Sequence, residues 1–251
     1  MDHYFLENYL NELLDVERFQ DYCPNGLQIE GRPKINKIAT AVTASRFVIE
    51  RCLDLEVDAL LVHHGFFWKG EPPSIRGLKK NRIAPLMKHD INLYGYHLPL
   101  DAYEAWGNNA SIAKRLDIHV MEKREWNHCS NILWFGMLSS ASEPQKFLNT
   151  LKQSYGKQVL HISGGKQEIK HVAWCSGAGQ DFFELASQYP IDAYITGEFS
   201  ERTYYLAKEL QIDFYALGHY ASEEDGIKHL GEFLAQEFKL PHVFIQEDNP
   251  F

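Results

Sequence analysis

The sequence has no cysteine pair, no long apolar run and no excess of positive charge. Its four cysteines (Cys23, Cys52, Cys129 and Cys175) form no C-x-x-C pair and no zinc-finger spacing, which favours scattered reduced thiols. The longest apolar stretch, residues 132–138, is far shorter than the roughly 18 residues that a membrane-spanning helix needs. The first residues are acidic and lack the apolar segment of a secretory signal. We therefore expect a cytoplasmic protein that does not enter a membrane.

Basic residues are outnumbered by acidic ones. Lys and Arg total 25 against 34 Asp and Glu, which gives a formal net charge of −9 in 251 residues. This balance argues against a protein that binds duplex DNA or an anionic membrane. It does not exclude an anionic small molecule, because a bound metal reverses the local field. The length fits one large domain or two medium ones, and either buries a real core.

Helices and strands are predicted to alternate along most of the chain. An amphipathic helix opens the sequence, with apolar residues at helical spacing up to Leu14, and a turn follows at Pro24 and Asn25-Gly26. The predicted strands are 35–42, 57–62, 91–96, 171–175, 191–195, 212–216 and 242–245. The predicted helices are 46–55, 80–89, 109–116, 181–188, 202–210 and 224–238. This alternation predicts an α/β fold with largely parallel sheets, and the less regular residues 121–165 are the predicted crossover.

The two halves of the chain align with each other. Residues 57–66 match residues 191–200, and residues 91–102 match residues 212–224 with one insertion. We interpret this as an internal duplication that gives two similar α/β lobes, although all βαβ units resemble one another to some degree. The first lobe is predicted to comprise residues 1–121 and 218–251, and the second to comprise residues 122–217.

Side chains that bind metals follow three of the predicted strands, where ligands of open α/β sheets bind. They are His63, His64, His97, Asp101, His219 and Glu223. The pairs His97/Asp101 and His219/Glu223 repeat one four-residue spacing after equivalent strands. A lone histidine at a strand end is usually structural, but six such residues at three strand ends favour a metal site. The adjacent histidines can converge only if their strand ends there, which Gly65 permits.

The donor set narrows the choice of metal. Imidazole and carboxylate without thiolate fit Zn, Mn, Fe, Ni or Co, and argue against a Ca or Mg cage. Four or five protein ligands with two carboxylates exceed what one catalytic zinc needs, so we expect two ions about 3.5–4 Å apart that share a water or hydroxide. Pro99 argues against a helix after His97. Ser222 is predicted to cap the last helix, with Glu223 in its first turn.

Weaker candidates carry two interpretations each. Glu198 occupies the position in the second repeat that His64 holds in the first, and is either a general base or a charge at a helix start. Gly164-Gly165 and the segment 177–179 either cradle a phosphate or form tight turns, and neither has the context of a phosphate-binding motif.

Two further features lie after the second predicted strand. Phe66, Phe67 and Trp68 either stack on a base or belong to the core or a subunit interface. A basic stretch either meets a substrate phosphate or is a solvated helix face; it consists of Lys69, Arg76, Lys79, Lys80 and Arg82.

Several segments together resemble the Nif-three-like family, whose bacterial members are called GTP cyclohydrolase 1 type 2 homologues. The segments are PNGLQIEG, LLVHHGFFWKG, YGYHLPLDA, TGEFSE and GHYASEE. The resemblance covers essentially the whole chain and matches the short bacterial form, without the inserted domain of longer members.

The resemblance implies two intertwined α/β lobes, a dinuclear metal site in the cleft between them, and a ring-shaped homohexamer. It implies two divalent ions per subunit, with Glu223 as the bridging ligand and His97 as a supporting or proton-transferring residue. The implied metal ligands are His63, His64, Asp101, His219 and Glu223.

We therefore expect a dinuclear metal-dependent hydrolase that acts on a nucleotide. If the substrate is GTP, a metal-bound hydroxide would attack C8 of the purine, and His97 or Glu198 would move the proton. One alternative is a metal-binding adaptor or regulator without catalysis. Another is a two-metal phosphoesterase or peptidase. Turnover of a nucleotide panel by metal-loaded protein discriminates among them.

Overall fold

The computed structural model describes residues 1–126 and 129–250. Contacts between residues divide the chain into two compact units. Unit 1 consists of Met1–Tyr103 and Glu224–Asp248, and unit 2 consists of Glu104–Glu223 with the chain from Asn249 onward. Each unit contains its own sheet and its own buried apolar core.

The unit boundaries differ from those predicted after residues 121 and 217. Ile112, Leu116 and Ile118 are buried in the apolar core of unit 2, and Ala221 packs against that core. Residues 104–121 and 218–223 therefore belong to unit 2, because the predicted boundaries would cut through its core.

The element bounds follow the predicted alternation closely. The helices are α1 (His3–Leu13), α2 (Arg46–Asp54), α3 (Gly77–Lys88), α4 (Leu98–Ala102), α5 (Asn108–Arg115), α6 (Pro144–Tyr155), α7 (Phe183–Ala186), α8 (Glu201–Leu210) and α9 (His219–Phe238). The strands are β1 (Gly26–Ile29), β2 (Ile38–Thr43), β3 (Ala59–His64), β4 (Asn92–Gly95), β5 (Ile118–Trp126), β6 (Cys129–Ser142), β7 (Leu160–Ile162), β8 (Ile169–Trp174), β9 (Ala193–Thr196), β10 (Asp213–Ala216) and β11 (His242–Phe244).

Local chemistry explains several of these elements. Asp2 caps α1 by accepting hydrogen bonds from the N–H groups of Tyr4 and Phe5. The side chain of Ser45 caps α2 in the same way, through the N–H of Val48. No helix in the described part of the chain is long and apolar enough to cross a membrane.

The sheet of unit 1 has the strand order β1-β4-β3-β2-β11. Strands β11, β2, β3 and β4 are parallel, and β1 runs antiparallel along β4. All residues of β3 except His64 are buried, as expected for a strand inside a covered parallel sheet. The carboxyl ends of β3 and β4 therefore lie at the same edge of the sheet.

The sheet of unit 2 has the order β5-β6-β8-β9-β10-β7. Its centre, β8-β9-β10, is parallel, and β7 runs antiparallel along β10. The long β5–β6 pair is antiparallel. It lies largely within residues 121–165, which the sequence does not predict to be regular. Unit 2 is therefore less parallel than predicted.

The two units repeat one plan, which confirms the predicted α/β fold and supports the duplication. In each unit a helix precedes an antiparallel edge strand, and three parallel strands joined by helices follow. The equivalent residues Asp58 and Asp192 perform the same task. Asp58 accepts the backbone N–H of Lys37, and Asp192 accepts those of Lys170 and His171. Each carboxylate thus ties the start of one parallel strand to the start of its neighbour.

Candidate metal centre

The adjacent histidines of unit 1 lie at the carboxyl end of β3. The strand ends at His64, and the two ring centroids are 4.6 Å apart. Nδ1 of His63 lies 3.0 Å from the carbonyl oxygen of Tyr96, so this nitrogen donates a proton, and Nε2 has a lone pair when the ring is neutral. Nδ1 of His64 lies 3.2 Å from the hydroxyl of Thr43. Both rings are thus oriented by groups on neighbouring strands, as in many metal-binding histidines.

Gly65 has a different role from the predicted one. Its φ is not in the left-handed region, so it is not required for a special turn. Instead, a Cβ at this position would overlap the amide of Gln28, whose oxygen accepts the N–H of Phe66 at 2.7 Å. The glycine therefore allows the segment after β3 to be fastened to β1.

The third histidine of unit 1, His97, follows β4 and is held by residues of the turn before β1. Nδ1 of His97 lies 2.7 Å from Oδ1 of Asp21, and its backbone N–H donates to Asn25 at 2.8 Å. Asn25 also donates to Asp21, and so does the N–H of Leu98. Burial raises the pKa of Asp21, but His97 and the hydrogen bonds from Asn25 and the N–H of Tyr22 outweigh it and hold the pKa below its usual range.

Asp101 lies in the short helix α4, which the sequence does not predict. Pro99 falls in the first turn of this helix, where a missing N–H costs nothing, so it does not prevent the helix. Asp101 is buried, and its Oδ2 lies 3.7 Å from Nε2 of His63. The helix therefore turns the carboxylate toward the histidines of β3.

These contacts bring three imidazoles of unit 1 together. One ring nitrogen from each of His63, His64 and His97 lies within 4.8 Å of the others. We call these three residues the imidazole cluster. Cys23 lies near His97 and Asp21, but burial raises the pKa of its thiol, and the nearby carboxylates raise it further. The cluster therefore offers nitrogen donors, and the nearby Asp21 and Asp101 offer carboxylate oxygens, whereas Cys23 does not offer a thiolate.

The donors of unit 2 lie at the start of α9. Nδ1 of His219 lies 2.6 Å from Oε1 of Glu198, and its Nε2 lies 3.1 Å from Oε2 of Glu223. Burial lowers the pKa of His219, but the carboxylates of Glu223 and Glu198 outweigh burial and raise it to about 9. The surroundings of this ring are strongly anionic and favour a cation.

Helix α9 begins earlier than predicted, at His219, so Ser222 is not its N-cap. The Ser222 hydroxyl instead donates to the carbonyl of His219 and accepts the N–H of Gly177. Glu223, which is 2% exposed, therefore lies one turn into the helix and directly above His219.

Two glycines of unit 2 make room for these donors. A Cβ on Gly177 would overlap Oε1 of Glu223, and its φ of +60° disfavours other residues as well. A Cβ on Gly197 would lie 2.6 Å from the carbonyl oxygen of Gly177 and 2.8 Å from Cα of His219. The N–H of Gly177 donates to Ser222 and that of Gly179 to Thr196. The segment 177–179 is thus a close-packed turn whose two glycine N–H groups already donate to side chains of the protein.

The structure also distinguishes between the two interpretations of the other candidates. Gly164 donates its N–H to Asp213 and Gly165 to Ser163, so this pair is also a turn. Phe66 is buried in the core of unit 1, whereas Trp68 lies against the imidazole cluster. Of the basic stretch, Lys79 is paired with Glu71.

Three residues of these arrangements are not predicted from the sequence as site residues. Asp21 and Asn25 lie in the turn before β1, and the only signal for them is the segment PNGLQIEG that carries the family resemblance, which contains Asn25 and begins three residues after Asp21. Gly177 is predicted only as part of a glycine-rich segment. Its role depends on Glu223, which is remote in sequence.

Comparisons with known proteins agree with this fold and identify the family of the chain. The profile of the Duf34/NIF3 (NGG1p interacting factor 3) family matches residues 1–250. A relative from Yersinia pestis, named GTP cyclohydrolase 1 type 2 homolog, is 45% identical over 246 residues, or 98% of each chain. The solved structure of protein ybgI, described as of unknown function, has 42% identity and a TM-score of 0.96, with 100% of both chains covered. TTHA1606 from Thermus thermophilus has 34% identity and a TM-score of 0.87, also with 100% of both chains covered. The chain therefore belongs to the Duf34/NIF3 (NGG1p interacting factor 3) family.

Proposed function

We propose that the protein is a metal-dependent hydrolase that acts on a nucleotide. The observation that carries the proposal is the imidazole cluster of unit 1, in which three rings lie close together and each is oriented through Nδ1 by a neighbouring group. Orientation of this kind is typical of metal-binding histidines. The residues that would hold two divalent ions are His63, His64, Asp101, His219 and Glu223.

The chemistry of these donors suits a borderline transition metal. Imidazole nitrogen and carboxylate oxygen fit Zn, Fe, Mn, Ni or Co. His63 and Glu223 are almost completely buried, which is costly for polar groups unless a cation or hydrogen bonds compensate. The raised pKa of His219 supports the same proposal, because a divalent ion can take the place of the proton that the carboxylates otherwise stabilise.

When bound, such ions act as Lewis acids and lower the pKa of water toward neutrality. The residues of the chain supply orientation and proton transfer. His97 is the proposed proton carrier, because Asp21 holds its Nδ1 and thereby fixes the ring beside His63 and His64. Glu198, predicted as a possible general base, is better suited to orienting His219, since its carboxylate bonds to Nδ1 of that ring.

The proposed reaction follows the name that the relatives carry, GTP cyclohydrolase 1 type 2 homolog. One water adds to C8 of the purine, the C8–N9 bond breaks, and a proton is delivered to N9. The imidazole ring opens, and the product is heavier than the substrate by one water.

The test is turnover of GTP and a panel of other nucleotides by protein loaded separately with each candidate metal. Mass spectrometry of the products detects the gain of one water. We expect ring opening by the wild type and none by Glu223→Gln. His119→Ala, at an exposed position of β5, is the matched control and should retain activity. The proposal is wrong if no nucleotide is converted, or if Glu223→Gln turns over as the wild type does.

Metal analysis of the same proteins separates binding from chemistry. Elemental analysis should find metal in the wild type and in His119→Ala, and less in His63→Ala and Glu223→Gln. Conversion of a phosphoester or a peptide, with nucleotides untouched, would assign the same donors to a different hydrolysis.

A second candidate function is a metal-binding adaptor without catalysis. The exposed side chains of Phe199, Tyr204 and Tyr205 favour it, because exposed aromatic groups are common in protein interfaces. Tight metal binding without any turnover is the expected result in that case. We also propose, from the family resemblance, a ring-shaped homohexamer, which sedimentation of the metal-loaded protein tests directly.

A further inference from the structure

The segment after β3 places an indole ring beside the imidazole cluster. The ring centroid of Trp68 lies 5.0 Å from that of His97, at an interplanar angle of 85°, and 5.9 Å from that of His64. The indole N–H donates to the carbonyl of Gly65 at 3.2 Å, which fixes the ring against the end of its own strand. Of the three aromatic residues in sequence here, Phe66 belongs to the core, whereas Trp68 contacts the cluster.

The backbone that holds this indole is unusual. Phe67 has a φ of +66°, and among the described residues it is the only apolar non-glycine residue with a positive φ. A bulky residue in this region is rare and persists only where the surroundings hold it. Here the Nζ of Lys79 lies 4.8 Å from the centre of the Phe67 ring, and the same amine pairs with Glu71 at 3.1 Å.

Two backbone hydrogen bonds also hold the part of the segment that follows Trp68. The N–H of Lys69 donates to the carbonyl of Tyr22 at 2.6 Å, and the N–H of Glu71 donates to the carbonyl of Trp68. Residues 65–71 thus form a braced loop on unit 1. The indole is already in place before a ligand arrives, so little ordering would oppose binding.

We infer that Trp68 is the stacking residue for the purine base of the substrate. The inference takes its substrate class from the proposed nucleotide hydrolysis and assigns the base to one residue. An indole is half-buried here, polar at one edge and apolar on its faces, and every purine has an aromatic face that can stack on it. Lys69, exposed beside it, supplies a positive charge near the same loop for the phosphate part of a nucleotide.

The test measures binding rather than turnover, by calorimetry of metal-loaded protein with guanosine 5′-monophosphate. Base stacking on an aromatic residue predicts an affinity loss of about 5- to 140-fold in Trp68→Leu. Trp68→Phe keeps an aromatic face and should retain most of the affinity. Trp106→Leu, at a tryptophan of similar exposure in unit 2, is the matched control and should bind as the wild type does. Ribose 5-phosphate, which lacks the base, should bind equally to wild type and Trp68→Leu.

Two results would overturn the inference. One is equal affinity of wild type and Trp68→Leu for guanosine 5′-monophosphate. The other is loss of bound metal together with the nucleotide in both Trp68 variants, because the residue would then only support the imidazoles. Purine binding that depends on Trp68, without turnover of GTP, would contradict the proposed hydrolysis and leave this inference standing. Turnover with unchanged affinity in Trp68→Leu would contradict this inference alone.

Discussion

The carboxylate of Asp21 lies 2.7 Å from Nδ1 of His97, although the two residues are 76 positions apart in the chain. The same carboxylate accepts the N–H of Leu98 and an amide hydrogen of Asn25. Asp21 thus fixes both the ring of His97 and the backbone that carries it. A histidine held in this way keeps one nitrogen protonated and presents the other in a defined direction.

Asp21→Asn should reduce hydrolysis or metal affinity about 10- to 100-fold, the usual effect of losing a carboxylate that orients a histidine at a metal site. The amide retains one oxygen acceptor, so the fold should be preserved. Metal affinity and turnover are measured on the same preparation. Asp15→Asn, in an exposed pair with Arg18, is the control and should change neither quantity. Wild-type values for Asp21→Asn in both measurements would show that the contact does not support the site.

Gly177→Ala should displace Glu223, because the new Cβ would overlap its carboxylate. We expect metal affinity to fall about 10- to 100-fold, as when a group that positions a ligand is lost. Gly165→Ala is the control, because Gly165 also has a positive φ, of +97°, but nothing lies within 4 Å of the added Cβ. It should lose stability through backbone strain, by more than about 0.4–1 kcal/mol, and keep its metal affinity. Equal metal affinities for the two variants would contradict the steric explanation.

Removal of Asp58 and removal of Asp192 should destabilise the fold to different extents. Asp58→Ala leaves two backbone N–H groups and the guanidinium of Arg32 without their acceptor, so we expect a loss of about 2–4 kcal/mol. Asp192→Ala should cost less, about 1–2 kcal/mol, because its side chain is 24% exposed against 8% for Asp58. Thermal and denaturant unfolding measure both, with Asp54→Ala at an exposed position as control. The reverse order of the two losses would contradict this explanation.

The fold should lose stability in mild acid through His242. Burial lowers the pKa of His242, and the negative charge of Glu232 only partly opposes this effect. As the pH falls below the ordinary value of 6.5, the unfolded chain therefore gains a proton at this residue that the folded chain does not. Nε2 of the ring lies 2.8 Å from the hydroxyl of Thr40, which suits a neutral imidazole.

The measurement compares unfolding of wild type and His242→Gln at about pH 7.5 and about pH 5.5, on either side of the pKa of a free histidine. The wild type should lose more stability over this interval than the variant. A larger loss in the variant would contradict the direction of the shift.

Strands and donors that depend on local sequence can be predicted. The apolar segment that ends at His63-His64 becomes β3, and the equivalent segment before Gly197 becomes β9. Two of the proposed metal ligands, His63 and His64, end the parallel strand β3, and the other three lie in the helices that follow β4 and β10, at the carboxyl ends of parallel strands. Periodicity and strand order are therefore sufficient to predict where these residues lie in the fold.

Features that depend on distant contacts cannot be predicted in this way. Asp21 becomes part of the site only through a contact with His97, and Gly177 only through the carboxylate of Glu223. The predicted start of α9 is wrong because Ser222 has the residue type of a helix cap, yet its hydroxyl is engaged by Gly177. The β5–β6 pair is not predicted because its alternation is weak and its stability comes from the long antiparallel ladder.

The crowding around Gly197 limits how far the two repeats can carry the same side chains. Gly197 is the counterpart of His63, but any side chain there would press on the backbone of Gly177 and His219. A histidine at this position would therefore require the backbone to shift, so the imidazole of His63 has no counterpart in the second repeat.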